Sequence, residues 1–177
     1  NRGLLIKGGF ILGLAALSLF AFYPPKDRLN LGLDLQGGIH LVLKVETQDA
    51  VRAETDKDME IMRREVADGG VSSVATSRIS DTSFDVTGVP VEKDAVLNKA
   101  ANDYLAGGWS WREAGARRVF EMEPANEKAI RDGAVNQALQ TIRNRIDQFG
   151  VSEPVIARQG LDSERIVVQL PGVDDPE

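Results

Sequence analysis

The stretch "LNLGLDLQGGIHLVLKVE", from Leu29 to Glu46, contains two adjacent glycines followed by an alternating run. Every second residue from Ile39 to Val45 is apolar, which predicts a half-buried β-strand. Neither of the two glycine-rich phosphate-binding patterns is present, since both need wider glycine spacing and a helix directly afterwards. We interpret Gly37 and Gly38 as a turn in which a glycine takes a positive φ or lets two chain segments approach closely.

Two polar residues in this stretch are candidates for a chemical role. Asp34 lies in a hydrophobic run, and its carboxylate is predicted to accept hydrogen bonds from the backbone of the Gly-Gly turn. A metal site at Asp34 would need further ligands, which the neighbouring sequence does not supply. His40 has no serine or cysteine nucleophile motif near it, so a surface or packing role is favoured over a catalytic one.

An apolar segment precedes this stretch and carries no charge from Gly8 to Tyr23. Sixteen helical residues span about 24 Å, and residues 3–6 extend the segment toward the roughly 30 Å of a bilayer core. We predict a transmembrane helix with a short cytoplasmic start over residues 1–25, oriented by Arg2 and Lys7, and a linker and turn over residues 26–37. A cleaved signal peptide and a buried core helix are the alternatives.

The composition excludes several classes of protein. The net charge of −6 argues against nucleic-acid binding, which requires a basic surface. Without cysteine, neither a disulfide nor a thiolate zinc site is possible, and a single histidine removes most two-histidine metal sites. The sequence therefore predicts no catalytic residue, no metal and no cofactor. It begins with asparagine and is expected to be an N-terminal fragment of a longer protein.

The remaining sequence predicts an α+β fold built from ferredoxin-like β-α-β-β-α-β units. The first unit is predicted over residues 38–123, with four strands and two helices. Its strands are predicted at 39–45, 71–79, 84–87 and 117–123, and its helices at 48–67 and 92–105. The motif "WSWR" is expected in a loop, where Trp109 and Trp111 either pack over a sheet edge or form a contact site.

The same order of elements then begins again over residues 124–177. A helix is predicted from Ala125 to Phe149, and two strands follow at 155–159 and 165–170. This second ferredoxin-like unit is predicted to be incomplete. The apolar face of its helix is formed by Val135, Ala138, Leu139, Ile142, Ile146 and Phe149.

Two separated stretches resemble the signatures of one family. The opening stretch, directly after an apolar helix, is similar to the first signature of the SecD family, and "IRNRIDQFGVSEPVIARQG" with "RIVVQLPGVDDPE" is similar to the second. The residues that carry the resemblance, all expected to act in structure, are Gly32, Leu33, Asp34, Leu35, Gly37, Gly38, Arg145, Asp147, Gly150, Glu153, Pro154, Gly160, Pro171 and Gly172.

The resemblance implies a function that the residues alone do not. SecD is a subunit of the bacterial Sec translocase in the inner membrane and is related to the resistance–nodulation–division transporters. With SecF it uses the proton motive force to promote preprotein translocation. The expected partners are therefore SecF, the SecYEG channel, the translocating preprotein and the lipid bilayer. The chain would supply the first membrane helix and the periplasmic P1 base, with the residues after about 25 in the periplasm.

Two other functions remain compatible with the sequence. A membrane-anchored periplasmic scaffold or binding module of envelope assembly needs no catalytic site, as here. An anchored hydrolase is disfavoured by the lone histidine and the missing nucleophile motif.

Overall fold

The computed structural model describes residues 2–22, 37–151, 153–160 and 163–171. Four α-helices lie in this part of the chain: α1 (Arg2–Phe22), α2 (Thr47–Asp68), α3 (Asp94–Tyr104) and α4 (Pro124–Gln148). The strands are β1 (Gly38–Lys44), β2 (Ala75–Ser80), β3 (Ser83–Thr87), β4 (Trp109–Ala114), β5 (Arg117–Met122), β6 (Val155–Arg158) and β7 (Arg165–Pro171). The predicted α+β class is confirmed.

The chain divides into two compact units, residues 1–39 with 171–177 and residues 40–170. The first unit contains helix α1, whose large apolar side chains are 61–86% exposed from Phe10 to Phe20 wherever the structure describes them. The segment predicted to cross a membrane is thus helical over Arg2–Phe22. Among the described residues, no helix has both the length and the hydropathy that a membrane span requires.

A four-stranded antiparallel sheet in the order β2-β3-β5-β4 forms the larger part of the second unit. Its core contains buried side chains from the sheet together with those of α2 and α3, because both helices place their apolar positions against it. The buried members of this core are Val51, Met62, Val66, Val71, Phe84, Val86, Leu97, Ala100, Ala101, Leu105, Trp109, Phe120 and Met122.

A three-stranded sheet in the order β1-β7-β6 forms the rest of the second unit and packs against α4. Strands β6 and β7 are antiparallel, with Ile156 opposite Val168. Their inward side chains and Val135 make a second core, on which the predicted apolar face of α4 packs. Phe149 is the exception to that face, since it is 83% exposed beyond the end of the helix.

The predicted β-α-β-β-α-β sheet over residues 38–123 is wrong. Strand β1 joins the sheet of β6 and β7, and its expected place is taken by β4, a stretch predicted as a loop. The physical reason is the two-residue loop that begins at Gly115 and connects β4 to β5. Closing so short a loop costs little conformational entropy, which favours the β4–β5 pairing. The alternation in β1 predicts a strand but contains no information on which sheet the strand joins.

Residues 38–44 and 155–171 therefore belong to one sheet, with the four-stranded sheet formed entirely by the sequence between them. The domain boundaries after residues 25, 37 and 123 stay predictions.

Candidate functional site

The most connected group of polar side chains joins the start of α2, helix α4 and the turn between β6 and β7. We call this group the polar junction; its members are Thr47, Gln48, Glu127, Arg131 and Glu164. The Arg131 guanidinium donates to the Thr47 hydroxyl at 2.8 Å, to Glu164 at 3.1 Å and to Gln48 at 2.5 Å. It also bonds Glu127, one turn earlier on α4, at 2.8 and 3.0 Å.

The junction is tied to the backbone as well. Thr47, which is only 1% exposed, donates its hydroxyl proton to the Glu164 carboxylate. The Val45 N–H donates to the Glu164 carbonyl oxygen at 2.8 Å. One glutamate on the β6–β7 turn therefore holds the connection from β1 to α2. A nearby ion pair, Arg158 with Asp132 at 2.7 Å, attaches β6 to α4.

Electrostatics within the junction favour its charged state. The hydrogen bond from Thr47 lowers the pKa of the Glu164 carboxyl, and the charge of Arg131 lowers it further. Hydrogen bonding to Glu127 raises the pKa of Arg131, which therefore stays protonated. Such an arrangement suits a mechanical joint, since it holds the four-stranded sheet's first helix to α4 through several directional contacts.

Replacing Arg131 with methionine is expected to lower the free energy of unfolding by about 1–2 kcal/mol. The loss includes charge-assisted bonds to a buried hydroxyl, which exceed an exposed ion pair in strength. Denaturant unfolding followed by circular dichroism measures it. Arg63→Met is the matched control, because Arg63 pairs with exposed Glu60 on α2 and its loss should lower stability clearly less than the loss of Arg131. Equal losses for the two variants would show that the polar junction stabilises the fold no more than an exposed ion pair does.

The predicted motif residues lie in turns and strand ends and do not converge on one pocket. Gly37 directly precedes β1 and Gly38 is its first residue; a positive φ, expected at one of them, is found at both, +73° and +153°. A Cβ at Gly37 would meet nothing within 4 Å, which makes the requirement conformational and not steric. Pro171 is the last residue of β7.

Other motif residues shape the two turns that flank β6. Gly150, with φ +67°, ends helix α4 and donates its N–H to the Asp147 carbonyl at 3.2 Å, a common helix terminus. Glu153 also has a positive φ, +52°, directly before Pro154. Gly160 has φ +92° in the turn after β6.

The charged motif residues on α4, Arg145 and Asp147, are exposed. Predictions for Gly32, Leu33, Asp34, Leu35 and Gly172 concern positions outside the described residues. The polar junction was not predicted, because its partners are separated by up to 117 residues and share no local spacing.

Strand β4 places its tryptophans in packing roles. Trp109 is 4% exposed and meets Phe84 edge to face, with ring centroids 5.0 Å apart. Its indole N–H donates to Asp58 on α2 at 2.8 Å. The packing interpretation of the motif is thus correct, although its assignment to a loop is wrong.

Asp58 predicts a pH dependence of stability. Burial raises the pKa of its carboxyl above the ordinary value of 3.8, although the Trp109 hydrogen bond opposes that shift. A raised folded-state pKa means that its contribution to stability is complete below pH 3.8 and is lost as the pH rises through the folded value.

Asp58→Asn keeps an acceptor for the indole and removes the charge. We expect the variant to lack that loss and to be at least as stable as the parent at pH 7. Thermal unfolding between pH 3.5 and 7 measures this, with the exposed Asp103→Asn on α3 as control. An unchanged pH profile in Asp58→Asn would contradict the prediction.

A second polar cluster lies under the four-stranded sheet. Arg118 of β5 is 6% exposed and donates to Asp94 at 2.8 Å, to Glu113 at 2.9 Å and to Asn98. No buried side-chain nitrogen or oxygen among the described residues lacks a hydrogen-bond partner, so the cluster is a satisfied structural network. His40 is exposed. Within the described ranges no three acidic or histidine side chains are grouped to hold a metal ion.

Comparison with known families matches the two ends of the chain. Residues 25–49 match the model described as "SecD/SecF GG Motif", and residues 135–177 match "Protein translocase subunit SecDF, P1 domain, N-terminal". The first range contains β1, and the second contains most of α4 with β6 and β7. The four-stranded sheet lies in the interval that neither model covers.

Several curated relatives, each named protein translocase subunit SecD, match across the interval. The one from Calditerrivibrio nitroreducens is 39% identical over 173 residues, covering 94% of this chain and 32% of its own length. Those from Koribacter versatilis and Escherichia coli K12 are 38% and 30% identical and cover 85% and 84% of this chain. The chain spans 29% and 24% of those two. No solved structure matches.

Strand β1, which follows the glycine pair, shares one sheet with β6 and β7, which follow α4. Both regions match models of protein-translocase subunits, and this defines the class of protein. The chain belongs to the SecD family and corresponds to about the N-terminal 30% of a full SecD.

Proposed function

We propose that the chain is part of the Sec protein translocase. It acts as the N-terminal portion of a SecD subunit, which with SecF uses the proton motive force to promote movement of preproteins across the inner membrane. The whole subunit would work beside the SecYEG channel, on translocating preproteins. It is a transport protein and not an enzyme.

One observation carries the proposal. The two ranges that match SecD models lie 85 residues apart in sequence, yet β1 from the first and β7 from the second are neighbours in one sheet. The polar junction connects α4 and the β6–β7 turn to the start of α2, the helix that packs in the core of the four-stranded sheet inserted between the ranges. This arrangement suits a domain that transmits force between its parts, because Arg131 of α4 contacts both the start of α2 and the β6–β7 turn.

Helix α1 supports association with the membrane. It has no charge from Gly8 onward, and its described apolar side chains are exposed. Burial of such side chains in lipid is favourable by roughly 25 cal/mol per Å². We propose that α1 is the first membrane helix, with Arg2 and Lys7 in the cytoplasm and the residues after about 25 in the periplasm.

The export assay compares two proteins in cells depleted of their own SecD. The full-length gene product that contains this region is expected to restore precursor processing in a pulse-chase experiment. Residues 1–177 alone are expected to leave the defect, because proton coupling needs ionisable groups buried in a membrane bundle. Failure of the full-length protein at normal abundance would overturn the translocase proposal. Full restoration by residues 1–177 would overturn the proton-driven role.

The orientation has its own test. The sequence contains no cysteine, so Ser110→Cys on the exposed side of β4 introduces a single thiol. An impermeant thiol reagent is expected to label it in intact spheroplasts. Labelling only after lysis would place the folded unit in the cytoplasm and contradict the proposed topology.

A further inference from the structure

A cavity of about 310 Å³ opens at one end of the four-stranded sheet. It lies between the loop that joins β4 to β5 and the segment that leads from β3 into α3. Pockets for small ligands usually measure roughly 300–1,000 Å³, so this one would hold a short ligand group. Its lining combines aliphatic side chains with a buried cation.

The aliphatic part of the lining reaches from the core to the surface. Val86 and Leu97 belong to the buried core of the four-stranded sheet, and Val89 packs partly against that core. Val91, in the 3-10 turn before α3, also lines the cavity but is 88% exposed, so it lies at the mouth. An aliphatic ligand group that covered Val91 would remove this apolar surface from water, which is favourable.

The buried cation is Arg118 of β5. Two of its acceptors, Asp94 and Asn98, belong to α3 and hold the guanidinium in place. Its third acceptor is Glu113 of β4, at 2.9 Å, whose side chain is 78% exposed. Glu113 therefore reaches the guanidinium from the surface and completes the network when no ligand is bound. Because such exposed carboxylates contribute little to an ion pair, another carboxylate could take its place at small cost.

We propose that this cavity binds a carboxylate that carries a short aliphatic group. The ligand carboxylate replaces Glu113 on Arg118, where charge-assisted hydrogen bonds to the guanidinium fix its orientation. The aliphatic group covers Val89 and Val91. Glu113 moves into solvent and becomes hydrated, so the exchange leaves no buried charge unpaired. A polypeptide C-terminus that ends in valine or leucine has this chemistry, and so does a free aliphatic acid.

Charge at the cavity favours a monoanion of this kind over phosphate. Arg118 with Asp94 and Glu113 has a net charge of −1, because one guanidinium faces two carboxylates. A ligand carboxylate in place of Glu113 preserves that charge. Phosphate carries about two negative charges at neutral pH and has no apolar group to cover the aliphatic lining. The proposed site depends on this cavity and not on the export function.

Ligand-observed NMR on the full-length protein in phosphatidylcholine nanodiscs tests the site, with empty nanodiscs as the blank. The probes are 4-methylpentanoate, a short acetylated peptide that ends in valine, the same peptide with an amidated C-terminus, and inorganic phosphate. At least one of the two carboxylate probes is expected to bind, and the amide and phosphate are not. Binding of the peptide alone would assign the site to a polypeptide C-terminus, and binding of the free acid alone would assign it to a small molecule.

Three variants locate the binding. Glu113→Ala removes the internal competitor and should tighten binding of the carboxylate about 2–5-fold. Glu121→Ala is the matched control, because it removes the same charge from the opposite face of the sheet, where Glu121 pairs with exposed Arg112. It should leave the affinity unchanged. Val91→Asp adds a negative charge at the exposed mouth, where the fold is unaffected, and should weaken binding at least about 3-fold.

Four outcomes would overturn the proposal. Absence of binding by both carboxylate probes would mean that the cavity has no such ligand. Equal binding of the amidated peptide or of phosphate would remove recognition of the carboxylate. Unchanged or weaker binding in Glu113→Ala would show that Glu113 does not compete with the ligand. Unchanged binding in Val91→Asp would place the bound acid elsewhere on the protein.

Discussion

Replacing Phe84 with alanine is expected to lower the free energy of unfolding by about 3–5 kcal/mol. Phe84 is fully buried at the centre of the four-stranded sheet. Its ring stacks on Phe120 with centroids 4.9 Å apart and meets Trp109 edge to face. Truncation removes the transfer energy of the ring and both aromatic contacts, and leaves a cavity between sheet and helices.

The chain's two tryptophans both lie on β4, so their fluorescence reports the unfolding of this sheet directly. Denaturant titration of the parent and of Phe84→Ala gives the difference. Phe149→Ala is the matched control, since that ring is 83% exposed and its loss should change stability by less than about 0.5 kcal/mol. A loss below 1 kcal/mol for Phe84→Ala would contradict the described core.

Gly88→Ala is expected to be the second most damaging change, with a cost of about 2–5 kcal/mol. Gly88 has φ +75°, where an L-residue costs about 1–2 kcal/mol. A Cβ there would also lie 2.1 Å from the Ser73 carbonyl oxygen. Because the obstacle is backbone, one of the two segments has to move, which adds about 1–3 kcal/mol.

Gly115→Ala separates the two causes. Gly115 has a similar φ of +69°, but a Cβ there would meet nothing within 4 Å. Its alanine variant should show only the conformational cost of about 1–2 kcal/mol. The same denaturant titration applies to both. Equal losses at the two positions would remove the steric part of the argument and leave only backbone strain at Gly88.

The two sheets and the polar junction suggest how force would be transmitted within the domain in the proposed function. The four-stranded sheet has its own large core, so it can act as a stiff body. The polar junction attaches its first helix to α4 through Arg131 and Glu164. Force applied to the three-stranded sheet would therefore reach the larger sheet through short charged contacts and through the packing of α2 on α4.

Local features of this protein were determined by its sequence. Capping and terminating residues predicted α2, and helical spacing of apolar residues predicted α3 and α4, all within a few residues of their observed bounds. Alternation predicted β1, and the glycine pair predicted a positive φ, which is found at Gly37. These features depend on neighbours in the chain, so a single sequence contains the information. The SecD signatures could be recognised for the same reason, since each is a continuous stretch.

The tertiary structure alone decided which strands share a sheet. Residues 109–114 offered charged and aromatic side chains that suited a loop, yet a tight turn at Gly115 paired them with β5. That pairing completed the four-stranded sheet and left β1 to join β7, more than a hundred residues later in the chain. The polar junction follows from this outcome, because Thr47 and Glu164 meet only when β1 and β7 are neighbours. Alternation fixes which face of a strand is buried but not its partner, and the partner depends on the total burial and loop entropy of the whole fold.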